Sequence, residues 1–264
     1  MPISNETITA ITDHFFAAED QRHPIEPVAS FQPNITMVEG YQVQAAVLAE
    51  WQQRGYHIVG KKAAATSQTA QAKMQITEPI YGHLLDFQQA ASGATLAAGH
   101  FIQPYIECEL AFIIGQPLTG PGITADDVLA ATEAIAPAYD IVDFRTREWQ
   151  VGLGEALCTN VYTRHFVVGE ARVAPDALDL PTLAISLAKN GAEVATATAT
   201  AGAIMGHPAR SIAWIANKLA EHGRRLEAGE IAITGAITKP HPVVPGDRFE
   251  AAFAGLGMLA VQFT

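Results

Sequence analysis

Apolar positions along the chain follow two periods, and the change from one to the other divides it. After Ser4, which can cap a first turn, Ile8, Ile11, Phe15 and Ala18 fall at helical spacing. Pro24, Pro27 and Pro33 break that pattern. A second helix is predicted from Thr36, where Glu39 completes a capping box, to about Arg54. Beyond Tyr56 the period shortens. Residues 57–61, 101–114, 138–142, 164–168 and 183–189 read as strands, and Asn190-Gly191 reads as a two-residue hairpin turn leading into 193–199. Thr124 caps a predicted helix over 125–135, with Asp126 and Asp127 in its first turn. Pro208 and Gly223 bracket another over 209–222, and strands follow at 248–254 and 258–263. The pattern predicts an α+β chain of short, mostly antiparallel strands, divided into an N-terminal helical layer (1–55) and a β-rich remainder (56–264).

Composition narrows the function. A chain of 264 residues with 49% hydrophobic and 16% charged residues buries a sizeable core in one or two domains. Its net charge of −11, with no basic stripe, argues against nucleic acid and in favour of divalent cations or anionic substrates that such cations carry. No window approaches the ~18 uninterrupted apolar residues of a membrane span, and the first twenty residues lack a basic start and an apolar run. Cys108 and Cys158 form no Cys-x-x-Cys pair, so a cytoplasmic protein with reduced thiols is expected.

The stretch richest in chemistry is Pro104-Tyr105-Ile106-Glu107-Cys108-Glu109-Leu110. On a strand Glu107 and Glu109 share a face, roughly 6–7 Å apart, while Ile106, Cys108 and Leu110 face the other way. A hard divalent cation between the carboxylates would relieve their repulsion; two solvated glutamates on an open strand face fit the same fragment. Asp140 lies within an apolar run, where an acid is rarely left unpaired, and Asp143 near Arg145 reads as a structural ion pair. Lys61-Lys62 is either a solvated strand end or the source of an ammonium for a carboxylate-and-metal site. The nine histidines show no zinc spacing, and no phosphate loop or Gly-x-Ser-x-Gly elbow is present.

Taken together, several stretches resemble the 2-keto-4-pentenoate hydratase and 4-oxalocrotonate decarboxylase family, within the fumarylacetoacetate hydrolase-like group. They are Gly60-Lys61-Lys62 with Thr66-Ser67, Glu78-Pro79-Ile80-Tyr81-Gly82, Pro104 to Glu109, Leu118 to Gly122, Pro137 to Asp143 with Arg145, Gly206-His207-Pro208 and Pro245-Gly246-Asp247. The resemblance implies a mixed β-roll with flanking helices and an N-terminal helical cap. It implies a Mg²⁺- or Mn²⁺-dependent lyase for short 2-oxo-enoic or 2-hydroxydienoic acids. The family's metal triad falls on Glu107, Glu109 and Asp140 and its active-site lysine on Lys62; Thr66, Ser67, Tyr81, Asn160 and Thr238 fall at substrate-binding positions. Members are generally homo-oligomers, and a partner lyase of the same pathway is a further expectation.

Four departures stand out. Asp140 replaces the more usual Glu, Tyr105 replaces a basic residue, Ala63-Ala64-Ala65 replaces Ile-Gly-Leu, and Cys158-Thr159-Asn160-Val161-Tyr162 replaces Ala-Asp-Asn-Ala-Ser. Hydratases of the family often carry Asp where this chain has Ile80. An apolar residue there suits loss of a desolvated carboxylate, so decarboxylation of a 2-oxo-3-enedioate such as 4-oxalocrotonate is favoured. The alternatives are hydration of 2-keto-4-pentenoate or a 2-oxohept-4-enedioate, C–C hydrolysis of an acylpyruvate, and a catalytically weakened ligand-binding member.

Overall fold

A computed structural model describes residues 2–146, 152–199 and 205–264. Among them run six α-helices: α1 Asn5–Gln21, α2 Met37–Gln53, α3 Gln68–Met74, α4 Ala125–Ala131, α5 Leu153–Cys158 and α6 Pro208–Ala220. The strands are β1 Ile58–Ala64, β2 Ile80–Leu85, β3 Gln89–Ala90, β4 Thr95–Leu96, β5 Pro104–Ile114, β6 Thr132–Asp143 and β7 Thr163–Val168. They continue with β8 Ala184–Lys189, β9 Ala192–Thr198, β10 Ile231–Ile233, β11 His241–Pro242, β12 Arg248–Phe253 and β13 Gly257–Phe263.

Local chemistry explains the helix starts. The Ser4 hydroxyl accepts the Thr7 amide, and Thr36 with Glu39 forms the predicted capping box. His207 Nδ1 accepts the Ala209 amide at the mouth of α6. One large sheet runs β2-β1-β10-β5-β6-β7-β3, with β11 pairing the far end of β5, and a second runs β4-β13-β12-β8-β9. Most pairs are antiparallel; β1 with β10, β13 with β4 and β3 with β7 are parallel. The main core joins Ile106, Cys108, Leu110 and Phe112 of β5 to the second sheet and to Ile212, Ile215 and Leu219 of α6. Phe15, Phe16, Val43, Val47 and Trp51 pack α1 against α2 and onto Leu85 and Cys158.

Helices α3 and α5 and strand β2 have no counterpart in the sequence pattern, the strand expected over 101–114 starts at Pro104, and two further differences have a clear physical cause. The helix predicted over 125–135 ends at Ala131, and Thr132 already belongs to β6. Ile135 lies opposite Phe112 on β5, and both are fully buried, so pairing with an apolar strand overrides the helical period. Arg145 does not pair with the Asp143 carboxylate. That carboxylate accepts the Ile102 and Gln103 amides, while the buried Arg145 guanidinium pairs with Glu19 and donates to the Asp143 and Thr163 carbonyls. Arg164 takes the second oxygen of Glu19. Burial alone would raise the Glu19 carboxyl, but the two guanidinium groups hold it below the ordinary glutamate value.

Candidate metal centre

β5 alternates as its sequence requires, with Ile106, Cys108 and Leu110 in the core and Glu107 and Glu109 on the opposite face. Glu107 lies directly across from Asp140 on β6, which puts the third carboxylate on that same face. Register carries the face further. Ala111 pairs with Ile233 of β10, which pairs with Lys62 of β1, so Lys62 also points toward the acids. Lys61 points the other way.

One oxygen from each of Glu107, Glu109 and Asp140 lies within 4.8 Å of the others. Glu109, Asp140 and Lys62 are buried and Glu107 is partly exposed, so the cluster opens on its Glu107 side. Lys62 Nζ donates to Asp140 Oδ2 and, at 3.1 Å, to the Val161 carbonyl. The Gly235 amide donates to Glu109 Oε2 at 2.6 Å. Glu109 Oε1 and Asp140 Oδ1 are buried with no hydrogen-bond partner.

This electrostatic arrangement is incomplete. Three carboxylates face one ammonium, an excess equal to the charge of one divalent cation. Burial would lower the Lys62 ammonium, but Asp140, Glu109 and Glu107 outweigh it and hold the lysine above its ordinary value. Burial, then Asp140, push Glu107 up to about 8 against the pull of Lys62, and Glu109 is displaced upward for the same reasons. Two orphaned oxygens and an all-oxygen donor set match the demands of Mg²⁺ or Mn²⁺.

The surrounding backbone is shaped to leave this space. β10 ends at Ile233 and pairing resumes with β11 at His241, so residues 234–240 depart from the ladder beside the glutamates. Within that gap the Thr234 and Thr238 hydroxyls accept the Leu110 and Cys108 amides, both at 3.1 Å, and pin β5 on either side of Glu109. Gly235 has φ +92°, and a Cβ there would lie 3.0 Å from the Thr66 side chain. Behind Lys62, Asn160, Val161 and Tyr162 hold φ of 53°, 55° and 59° in succession. A β-branched valine in the left-handed region costs on the order of 1–3 kcal/mol. It is held there by Asn160, whose side-chain amide clamps both backbone groups of His83 at 2.8 Å. Gly82 permits that approach, since a Cβ there would lie 3.0 Å from the Asn160 carbonyl oxygen.

The remaining sequence candidates separate. Thr66 is buried under Gly235, Ser67 caps α3 by accepting the Ala70 amide, and Thr238 braces β5. The Asn160 amide is committed to β2. Tyr81 is not brought to the acids: it alternates with Gly82 and stacks on Tyr41, with ring centres 4.9 Å apart, toward the main core. The Val161 carbonyl and the Gly235 amide escape a reading of side chains because both are backbone groups. A left-handed run without glycine leaves no local sequence signal.

Residues 51–264 match the fumarylacetoacetate (FAA) hydrolase C-terminal family. The chain is 34% identical to 2-hydroxyhexa-2,4-dienoate hydratase of Comamonas testosteroni over 91% of each protein. It is 34% identical to 4-oxalocrotonate decarboxylase of Pseudomonas sp. (strain CF600), over 99% of this chain and 98% of that one. Its structure is similar to that of 4-oxalocrotonate decarboxylase from Pseudomonas putida G7 complexed with magnesium and adipate, with a TM-score of 0.95, 32% identity and 99% of each chain covered.

Proposed function

The chain belongs to the fumarylacetoacetate (FAA) hydrolase C-terminal family, and from that premise we propose that it is a divalent-metal-dependent lyase acting on short 2-oxo-enoic acids, preferentially by decarboxylating a 2-oxo-3-enedioate. The carrying observation is the buried cluster of Glu107, Glu109 and Asp140 around two orphaned oxygens, with the Lys62 ammonium against it.

In this reading Glu107, Glu109 and Asp140 hold Mg²⁺ or Mn²⁺. When bound, the ion supplies Lewis acidity to the carboxylate and 2-oxo oxygen of the substrate. Lys62 places positive charge, and a proton, beside the oxygen on which negative charge develops. The Gly235 amide and the Val161 carbonyl fix the orientations of Glu109 and Lys62. Thr66, Ser67, Thr238 and Asn160 brace the backbone that forms the substrate's seat, and Tyr81 serves the core.

Ile80, Val142, Phe144, Val161 and Tyr162 form one apolar cluster beside this face. A carboxylate placed against them sheds its water, which favours breaking its C–C bond. CO₂ then leaves, and the electron pair passes through the enone to the C2 oxygen. Hydration is the second reading, favoured by the likeness to the Comamonas testosteroni hydratase. The test is incubation of purified protein and Mg²⁺ with 2-oxo-3-hexenedioate. CO₂ release that Glu107→Ala abolishes is expected; a 4-hydroxy-2-oxo product without CO₂ would replace decarboxylation by hydration.

The same reading includes a cytoplasmic homo-oligomer, association with a lyase of the same pathway, and a helical cap over residues 1–55 distinct from the catalytic part. It is supported by the family resemblance and by the packing of α1 on α2; no described helix is long and apolar enough to cross a membrane.

A further inference from the structure

A cavity of about 700 Å³ lies on the other side of β1 and β2 from the carboxylates. Its lining includes Lys61 and His83, which are paired across the two strands and alternate with Lys62 and Gly82. The cavity is therefore back to back with the metal centre and separate from it. α2 contributes Ala45 and Leu48, Ile58 lies at the start of β1, and the end of α6 contributes Leu219, so one side of the space is apolar.

The polar side is cationic in a chain whose net charge is −11. Two of its three cations are already neutralised, Lys61 by Glu230 at 2.6 Å and Arg225 by Glu227 at 2.9 Å. Arg224 is solvent-exposed at the rim of the cavity and makes no ion pair or side-chain hydrogen bond among the described residues, which leaves one positive charge over. His83 is 2% exposed, and its Nδ1 is buried with no hydrogen-bond partner. Burial, with the Lys61 and Arg224 charges nearby, holds this imidazole well below its ordinary value, so the ring is neutral and keeps one N–H to donate.

We propose that this cavity is a second ligand site that takes a monocarboxylate with an apolar body, its head on Arg224 and His83 and its body against Leu48, Ile58 and Leu219. The single surplus charge selects a monoanion. A planar guanidinium fork suits a carboxylate, and the volume lies within the range of small-molecule sites.

Calorimetric titration of metal-free protein with hexanoate, in the presence of a chelator, tests the site without the metal centre. Saturable one-site binding is expected, weakened roughly tenfold or more in Arg224→Ala. Acetate, which lacks the body, should bind at least roughly tenfold more weakly than hexanoate, and hexylamine should not bind. Ala45→Trp, which fills the cavity from α2 and leaves its charges in place, should block hexanoate while the melting temperature of the protein is kept. Equal affinity in wild type and Arg224→Ala would overturn the proposal, as would absence of hexanoate binding, including the case of a second copy of the chain covering the cavity in solution.

Discussion

Two buried charge clusters hang on β6, one at Asp140 and one at its end, and only the Asp140 cluster leaves carboxylate oxygens without a donor. Around Glu19, two acids (Glu19 and Asp143) meet the guanidinium groups of Arg145 and Arg164, with that of Arg22 nearby, and both oxygens of Glu19 are taken. Around Asp140, three acids meet one ammonium, and two carboxylate oxygens face nothing. The first cluster ties α1 to the sheet, and every carboxylate oxygen of Glu19 and Asp143 in it has a donor. The second is two charges short of balance, and a fold that keeps such a deficit buried has reserved the place for something it binds. Carboxylate oxygens left without a donor, rather than burial, separate the second cluster from the first.

The sharpest way to break this comparison is to remove an acid from each side. Glu109→Gln should lower turnover to below roughly a hundredth of wild type, measured as CO₂ release with Mg²⁺, while the metal-free protein melts no lower than before because one unpaired buried acid is gone. Glu19→Ala should do the reverse. Stranding two guanidinium groups should cost about 3–5 kcal/mol in urea unfolding, and the protein that remains folded should keep its activity.

Metal addition gives a smaller effect with a clear signature. Mg²⁺ at a hundred times its dissociation constant should stabilise the wild type by about 2.7 kcal/mol, read as a rise in melting temperature, and should not stabilise Glu109→Gln. The smallest effect is the acid limb of stability. Glu19 is held below its ordinary value of 4.5, so its contribution is complete above that pH and lost as pH falls through the lower folded value. Urea midpoints measured on the acid side of 4.5 should therefore fall in wild type and fall less steeply in Glu19→Ala.

Much of this was legible in the chain. The alternation of 104–110 put Glu107 and Glu109 on one face, and capping signals at Ser4, Thr36 and Thr124 placed three helix starts. Resemblance supplied Asp140 and Lys62, and strand register explains why they meet the glutamates. What was hidden depends on contacts between distant segments. Arg145 finds Glu19 across 126 positions of sequence, not Asp143 two residues away. Thr132 to Ile135 obeyed a helical period until β5 claimed them as a strand. Tyr81 sits in a family-like stretch, but strand alternation turns its ring toward the core; its neighbours Ile80 and Gly82 share a face with Lys62.

β5 also limits how this protein can change over generations. Its eleven residues carry the glutamates on one side and the main apolar packing on the other. Gain or loss of one codon within it would exchange the two sides, driving Glu107 and Glu109 into hydrocarbon and bringing Ile106, Cys108 and Leu110 to the catalytic mouth. Descendants can vary this strand letter by letter but not in length, and new substrate preferences must arise elsewhere, in the segments that surround the mouth.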